Sequence, residues 1–597
     1  MKKEVFLLLL PAVLAAGCSK DSIMENGSGT NGSGTNGSGS TTGTVPTVTP
    51  VEDEEDDNIE NTTFARTISI VFSNQGDATV MGDENGIVSV DGNKVTANNS
   101  EFDETVLYEL SGNSANGYFK TYSGNRQAIY LNGLTLTNPD GAAINNQGKK
   151  RLYVVVNGTN TLSDGSSAAY TASDDEDMKA VFFSEGQLVF SGEGSLTVTA
   201  SNAQGKGGIT TDDYVHVMEN GPAITVTAGS GAGHGLRGKD YVRISGGTLD
   251  ISTKAAMKKG VNSDGYVFIE GGTTTVNVSG GVAYDSEDEE YTGSAGVKAD
   301  NFFGMTGGSL TVTNTGAGGK GIRAGSYDYY AEYGAINDSY ITGGTIKVTT
   351  TGRESNSVSA KGIKIGFKEG SGRSYVYAGN LLVSGGATVV NCSGGEGLEA
   401  KGDMTVSGGE LYVSSSSDDA INCQGEMNIT GGYVYAFSSG NDAMDSNGNM
   451  VLSGGYVFSV CTKGSPEVAL DANTEGGYRL YINSGATVVA YGGLESGYSA
   501  AQNVYSMSCS AGNWNGLWNG SAFIAAFKAP SGVSSVAVSA PSLSQGYTGV
   551  SVGESLCGGV WAADEISGGS VVSLGTYTNQ GGTPGGGPGG GGPGGWH

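Results

Sequence analysis

The chain has three histidines and six cysteines in 597 residues. No Cys-x-x-Cys pair or Cys/His cluster offers a zinc site. Besides Cys18, the cysteines are Cys392, Cys423, Cys461, Cys509 and Cys557. Five is odd, so at least one is unpaired within the chain, and small residues stacked in a β core account for them. With His216, His234 and His597 the only imidazoles, no Ser/His/Asp order or nucleophile elbow stands out. Charged residues are only 15%. Lys and Arg number 31 against 60 Asp and Glu, a net charge of −29, which repels phosphate backbones and argues against nucleic acid. Long amphipathic helical stretches are missing. The apolar run Phe6–Leu14 falls short of the ~20 residues that span a bilayer.

What is present begins with an export signal. Lys2 and Lys3 precede the apolar run, and Ala15-Ala16-Gly17-Cys18 resembles a bacterial lipobox. In such signals the cysteine is acylated, so Cys18 is the expected lipid anchor, in the outer membrane and facing the exterior. Ser19 favours outer-membrane sorting, and Lys20-Asp21 resembles a surface-export signal of one bacterial phylum. Residues 1–18 are thus read as signal and lipobox. Residues 19–63 are read as a Gly/Ser tether closed by the acidic run Glu52–Asp57, which is expected to be solvated.

The 104 glycines are not scattered at random. A Gly-Gly corner followed by alternating residues recurs, as in Gly246-Gly247-Thr248-Leu249-Asp250-Ile251 and Gly307-Gly308-Ser309-Leu310-Thr311-Val312. The starts Gly385, Gly408, Gly431 and Gly454 lie 23 residues apart, and earlier spacings of 25, 36 and 42 are the same unit with insertions. A second half-motif, glycine then a hydrophobe, recurs at Gly235-Leu236, Gly260-Val261, Gly321-Ile322 and Gly362-Ile363. One turn-strand-turn-strand unit per period predicts an all-β chain, a right-handed parallel β-helix (a β-solenoid) of roughly thirteen rungs with small β caps at both ends. The expected divisions are an N-terminal β cap over 64–130, the β-helix over 131–490, a C-terminal β cap over 491–578 and a Gly/Pro-rich tail over 579–597.

Residues one rung apart stack, so the repeats can be read as columns. The position after the hydrophobe reads Arg237, Asn262, Lys298, Arg323, Lys364, Glu399, Asn422, Asp445, Asp471. The position two before it reads Lys206 (offset by an extra glycine), His234, Lys259, Ala295, Lys320, Lys361, Glu396, Asp419, Asp442. Both change from basic to acidic at the same place. Stacked like charges are unfavourable. Calcium among Glu396, Glu399, Asp418, Asp419, Asp442 and Asp445 would relieve the acidic end. A solvated acidic edge, or Asp and Asn capping turns, is the alternative. Lys320, Arg323, Lys361 and Lys364 either bind the carboxylates of a uronic-acid polymer or pair with local acids such as Asp285–Glu290. A third column is aromatic: Tyr412, Tyr433, Tyr435, Tyr456 and Phe458, with Phe437. It either stacks on sugars or lies under the C-terminal cap. Tyr327, Tyr329, Tyr330 and Tyr333 form a second aromatic group in an insertion.

The strings Val106-Leu107-Tyr108-Glu109-Leu110-Ser111-Gly112, Ile129-Tyr130-Leu131-Asn132-Gly133-Leu134-Thr135-Leu136 and Gly158-Thr159-Asn160-Thr161-Leu162-Ser163-Asp164-Gly165 resemble the opening of the bacterial carbohydrate-binding β-helix family with a pectate-lyase-like fold. Lys320-Gly321-Ile322-Arg323-Ala324 and Asp418-Asp419-Ala420-Ile421-Asn422 are similar to its repeated half-motifs. The resemblance covers roughly residues 100–490. It implies a non-catalytic, calcium-binding, cell-surface protein that holds plant-type polysaccharide such as polygalacturonate or a cellulose-like glucan. A polysaccharide lyase on the same scaffold, and an adhesin that binds protein, are the competing functions.

Overall fold

In the computed structural model, the described residues are 48, 51, 54–172, 176–286, 289–371, 374–520 and 522–579. Cys18, most of the tether and nearly all of the tail lie outside them. The described residues are nearly all β, with one α-helix, Tyr327–Tyr333. Two large sheets, of 30 and 15 strands, dominate and are built mainly of parallel pairs.

Each sequence repeat contributes one strand to each of three parallel ladders. The first ladder pairs Leu188–Ser191, Val215–Val217, Tyr241–Ile244 and Tyr266–Ile269 in turn. The second pairs Thr248–Thr253, Thr273–Val278, Ser309–Asn314 and Thr345–Thr350. The third pairs Lys259–Ser263, Ala295–Ala299, Lys320–Ala324, Lys361–Ile365 and Leu398–Ala400. Alternation decides which side chains turn inward. In Ser309–Asn314, Leu310 and Val312 are buried while Ser309, Thr311 and Thr313 are half-buried. One continuous apolar core joins the three ladders from Ile68 to Ala537.

The two glycine motifs have separate causes. At the corner, Gly308 sits at φ +72°, and an added Cβ would lie 2.5 Å from the Gly271 carbonyl oxygen of the repeat below. In the third ladder, the glycine before each hydrophobe faces a valine or isoleucine of the second. A Cβ on Gly321 would lie 2.2 Å from Val348 Cγ1, and one on Gly397 2.3 Å from Val413 Cγ1. The valine column then runs Val390, Val413, Ala436, Ser459. Where it shrinks, the glycine column grows to Ala420 and Ala443, so the summed volume is conserved.

The ends are closed by antiparallel strands. At the N-terminal side, Val88–Asp91 and Asn93–Asn99 form a hairpin. At the C-terminal side Ser535–Ser539 pairs antiparallel with Thr487–Tyr491 of the second ladder, and a separate five-stranded antiparallel sheet contains Trp514–Asn519, Ala522–Lys528, Gln545–Ser551, Trp561–Ala562 and Ser567–Val572.

In the acidic run Glu54, Glu55 and Asp56 are exposed, as expected of a solvated run, but Asp57 is buried. Glu55–Asp57 and Ile59–Asn61 form two 3-10 turns docked on the first ladder. Asp57 is 2% exposed, and its Oδ1 accepts from the Tyr214 hydroxyl at 2.6 Å and lies 2.7 Å from Arg151 Nε. The Tyr153 hydroxyl donates to the Asp56 carbonyl at 2.6 Å. Val48 and Val51 pack on Phe268, Phe302, Tyr340 and Leu382. This strap follows a ladder of stacked rings, Tyr214–Tyr241 at 4.3 Å, Tyr241–Tyr266 at 4.7 Å and Tyr266–Phe302 at 5.1 Å. The rings cover one another's faces and present edges, which suits a peptide strap better than a sugar.

Candidate glycan-binding face

The third ladder stacks the charged column in the expected register. Asn262, Lys298, Arg323, Lys364, Glu399, Asn422, Asp445 and Asp471 are consecutive neighbours. Lys259, Ala295, Lys320 and Lys361 form the adjacent column.

The basic stretch is unevenly compensated. Arg237 pairs with Asp264 at 2.7 Å, and Lys298 pairs with Asp300. Lys361 reaches Glu396 and Glu399, both at 2.7 Å. Local acids that pair with this stretch include Asp212, 3.8 Å from Arg237, and Asp264, Asp300, Glu396 and Glu399. Among the described residues, Lys320, Arg323 and Lys364 form no ion pair; Lys320 Nζ donates instead to the Gly318 carbonyl at 3.0 Å. Desolvation and the neighbouring cations Arg323 and Lys361 outweigh Glu399 and push Lys364 down to about 7. Desolvation, then Lys364, Arg323 and Lys361, holds Lys320 well below the usual lysine range.

The acidic stretch, where calcium is expected among six carboxylates, divides in two by the partners of those carboxylates. Both oxygens of Glu399 are taken by lysines, Oε2 by Lys361 and Oε1 by Lys401. Burial alone would raise it, but Lys361, Lys401 and Lys364 hold it well below the usual carboxylate range. Glu396 is likewise drawn to Lys361, although its Oε2 is buried without a partner. Asp418 Oδ1 accepts from the Asp419 N–H at 3.1 Å, as a turn cap does. The remaining acids face one another. Asn422 Nδ2 donates to Asp419 Oδ2 at 3.0 Å and to Asp445 Oδ2 at 2.8 Å. Asp419 Oδ1 is buried with no partner. Burial, then the charges of Asp445 and Asp418, pushes Asp419 up to about 9. Burial with Asp442 and Asp418 lifts Asp445 to about 7, and burial with Glu467 and Glu495 lifts Asp442 to about 6. Asp471 is raised by burial and by its hydrogen bond to Glu495. All donors here are oxygen, the set a hard divalent cation takes. Among the described residues the tightest acidic trio is elsewhere, Asp177, Glu185 and Asp212. Lys179 already bridges two of its members, at 2.7 Å from Asp177 and 2.5 Å from Asp212.

The late aromatic column is a packing surface. Tyr412, Tyr435 and Phe458 are successive neighbours on the second ladder, and Tyr433 stacks on Tyr456 at 4.7 Å. The C-terminal sheet lies on them: Phe458 contacts Phe527 and Trp561, and Tyr456 contacts Trp561. Tyr435 and Phe458 are 4% and 0% exposed, and Tyr412, Tyr433 and Tyr456 are half-buried in the same cluster. Of the two readings of this column, open to sugars or under the C-terminal cap, the structure has the second: apolar rings on one sheet face are covered by the apolar face of another.

Besides Phe102 and Tyr478, the exposed rings among the described residues are on insertions. Tyr284 and Tyr291 sit on the hairpin Ala283–Asp285/Glu290–Thr292, between second- and third-ladder strands. Tyr327 and Tyr333 sit on the helix, and Tyr375 and Tyr377 on the hairpin Phe367–Ser371/Ser374–Ala378. The helix and the second hairpin connect third-ladder strands to the first ladder, so chain order puts exposed tyrosines at both edges of the basic stretch. Lys368 Nζ lies 4.3 Å from the Tyr375 ring centroid. Sequence columns miss Tyr284, Tyr291, Tyr375 and Tyr377 because insertions have no column. The lengthened spacings of 36 and 42 were the available signal.

A family model described as "Carbohydrate-binding domain-containing protein" matches residues 91–443. No curated protein matches. A solved structure of a polysaccharide lyase-like protein from C. thermocellum, a gadolinium derivative, is similar at 21% identity, over 44% of this chain and 95% of that chain, with a TM-score of 0.34. The family match spans more than half of the 597 residues and includes the whole basic stretch of the third ladder, and the chain belongs to this carbohydrate-binding domain-containing family.

Proposed function

We propose that the protein is a surface lipoprotein, anchored through Cys18 in the outer membrane, whose right-handed parallel β-helix holds an acidic plant-type polysaccharide without cleaving its backbone. The observation that carries this reading is the charge reversal along one ladder, with Arg323 and Lys364 unpaired among the described residues and exposed tyrosines at both edges. A uronate carboxylate would neutralise the stacked cations, and tyrosine rings would take the C–H faces of the sugars. The registers one repeat apart, in three ladders at once, support the β-helix reading. Calcium would be held by Asp419, Asp442, Asp445 and Asp471, where it would supply the positive charge that these carboxylates lack.

Polygalacturonate is the preferred ligand over a neutral cellulose-like glucan, because only the former offers carboxylates to Lys320, Arg323 and Lys364. Isothermal calorimetry with polygalacturonate is expected to show binding that weakens with salt. Arg323→Ala and Lys364→Ala should each weaken it roughly 10- to 100-fold, the loss of a charge-assisted hydrogen bond. Equal affinity for cellulose oligomers, or wild-type affinity in the double variant, would overturn the assignment. Absorbance of an unsaturated product on long incubation would instead establish a lyase. Cys18→Ser is expected to abolish incorporation of labelled fatty acid in the producing cell.

A further inference from the structure

The strap completes a second site, on the first ladder. Asp57 Oδ2 lies 2.6 Å from His216 Nδ1, and His216 Nε2 lies 2.9 Å from Ser245 Oγ. We propose that Asp57, His216 and Ser245 are a nucleophilic triad that hydrolyses small acyl esters. Both distances are within the reach that general-base activation of a hydroxyl requires. Asp57 and His216 are buried, whereas Ser245 is only half-buried and lines a cleft of about 1030 Å³ together with His216, Arg243 and Glu270.

The supporting contacts assign the roles. Tyr214 and Arg151 hold Asp57 Oδ1, which leaves Oδ2 for the imidazole. Burial would raise Asp57, but the hydrogen bonds from His216 and Tyr214 and the charge of Arg151 hold it below the usual carboxylate range. An ionised Asp57 fixes the tautomer with the proton on Nδ1, so Nε2 faces Ser245 as the base. A serine or threonine precedes the Gly-Gly corner in other repeats too, at Thr306, Thr342, Ser384, Ser407, Thr430 and Ser453. Ser245 alone among these has an imidazole at its hydroxyl. The next two residues, Gly246 and Gly247, line the same cleft, and among the described residues neither N–H is taken by a hydrogen bond. They are the donors available to an oxyanion formed at Ser245. Glu270 is a second acceptor for Ser245 Oγ, at 2.7 Å, and Arg243 neutralises it with contacts of 2.7 and 3.0 Å. His216 is then the group that can both take the serine proton and return it.

The reaction balances without a cofactor. Ser245 Oγ bonds to the ester carbonyl carbon as its proton moves to Nε2. The ester C–O bond breaks, and the leaving alcohol takes that proton. Water then gives a proton to Nε2 and adds to the acyl carbon. The carboxylic acid leaves, and Oγ regains its proton. The polar rim of Glu54, Asn58, Glu219 and Arg243 suits an acyl group carried on a sugar hydroxyl. That choice of substrate rests on the glycan reading; the triad does not.

The test uses the full chain, p-nitrophenyl acetate and a fluorophosphonate probe. The expected result is hydrolysis, with the phosphonyl adduct on Ser245 by peptide mass spectrometry. Ser245→Ala should remove the adduct and lower kcat/KM by about 10³-fold or more, with unchanged melting temperature and unchanged polygalacturonate affinity. His216→Gln should do the same to hydrolysis. Wild-type protein that is folded yet neither labelled nor active overturns the proposal, as does hydrolysis that survives Ser245→Ala. Loss of polygalacturonate binding in wild type, with labelling intact, would remove the glycan reading and leave the triad standing.

Discussion

Trp561→Ala is expected to lower the unfolding free energy by about 3–5 kcal/mol, the cost of truncating a fully buried tryptophan. Trp561 is 0% exposed and lies against Tyr456 and Phe458 of the second ladder. Its indole N–H donates to the Val434 carbonyl at 3.2 Å, so the truncation also removes a buried donor. The same small region includes Cys557, whose Sγ donates to the Leu411 carbonyl at 3.3 Å. Losing the indole therefore weakens the seam between the C-terminal sheet and the last repeats more than the core of either. Scanning calorimetry should show the single transition of the wild type shifted down or split in two. Trp561→Phe, which keeps most of the ring contacts, should cost less. Polygalacturonate affinity below the transition should stay within about twofold, because the charged face is on a different ladder. A variant that binds glycan markedly tighter would mean that the cap hides a sugar site in Tyr435 and Phe458.

The parts of the fold that were legible in the sequence are those set by neighbours one repeat away. The charged column from Asn262 to Asp471 could be written down because strands of fixed length between glycine corners leave only one register. The same period exposed the change from basic to acidic. Contacts between the repeats and non-repeating segments were not legible. Asp57 meets His216 across 159 residues of sequence, and nothing in an acidic run distinguishes a buried member from a solvated one. Tyr435 and Phe458 show the same limit. Alternation places them outward from the second ladder, but outward from a ladder is exposed only if no other segment covers it. Glu399 shows a third form of it. Its column position was right, while its availability to a metal depended on Lys361 and Lys401 reaching it from two sides.

Freed of calcium, the protein is expected to lose stability as pH rises from about 4 to 7. Asp419 is pushed from an ordinary 3.8 up to about 9, Asp445 to about 7 and Asp442 to about 6. Above their ordinary value these groups hold more protons folded than unfolded, so the unfolding free energy falls with pH until each raised value is passed. The penalty is absent below about pH 4. Lys364, lowered from 10.5 to about 7, acts oppositely, but only between those two values, where stability recovers as pH rises. Glu399, held low, removes stability only as pH falls below the ordinary carboxylate range. Within the interval from about 4 to 7 the raised aspartates outweigh His234, which burial and the neighbouring cations hold well below 6.5 and which acts oppositely there. Calcium held by these aspartates would take their ionised forms, so its benefit should grow across the same interval, reaching about 2.7 kcal/mol at a concentration 100 times its dissociation constant. Melting temperatures at pH 4, 6 and 8, each in EDTA and in excess calcium, measure both effects. At pH 4 the two curves should coincide, and at pH 8 calcium should raise the midpoint by several degrees. Asp419→Asn should lessen the fall in the EDTA series and remove much of the calcium shift, since it takes away a strongly raised carboxyl and its unpartnered oxygen at once. A midpoint in EDTA that is level or rising over this interval, or a calcium shift of equal size at every pH, would mean that the late aspartates are neutralised some other way and do not form the cation site.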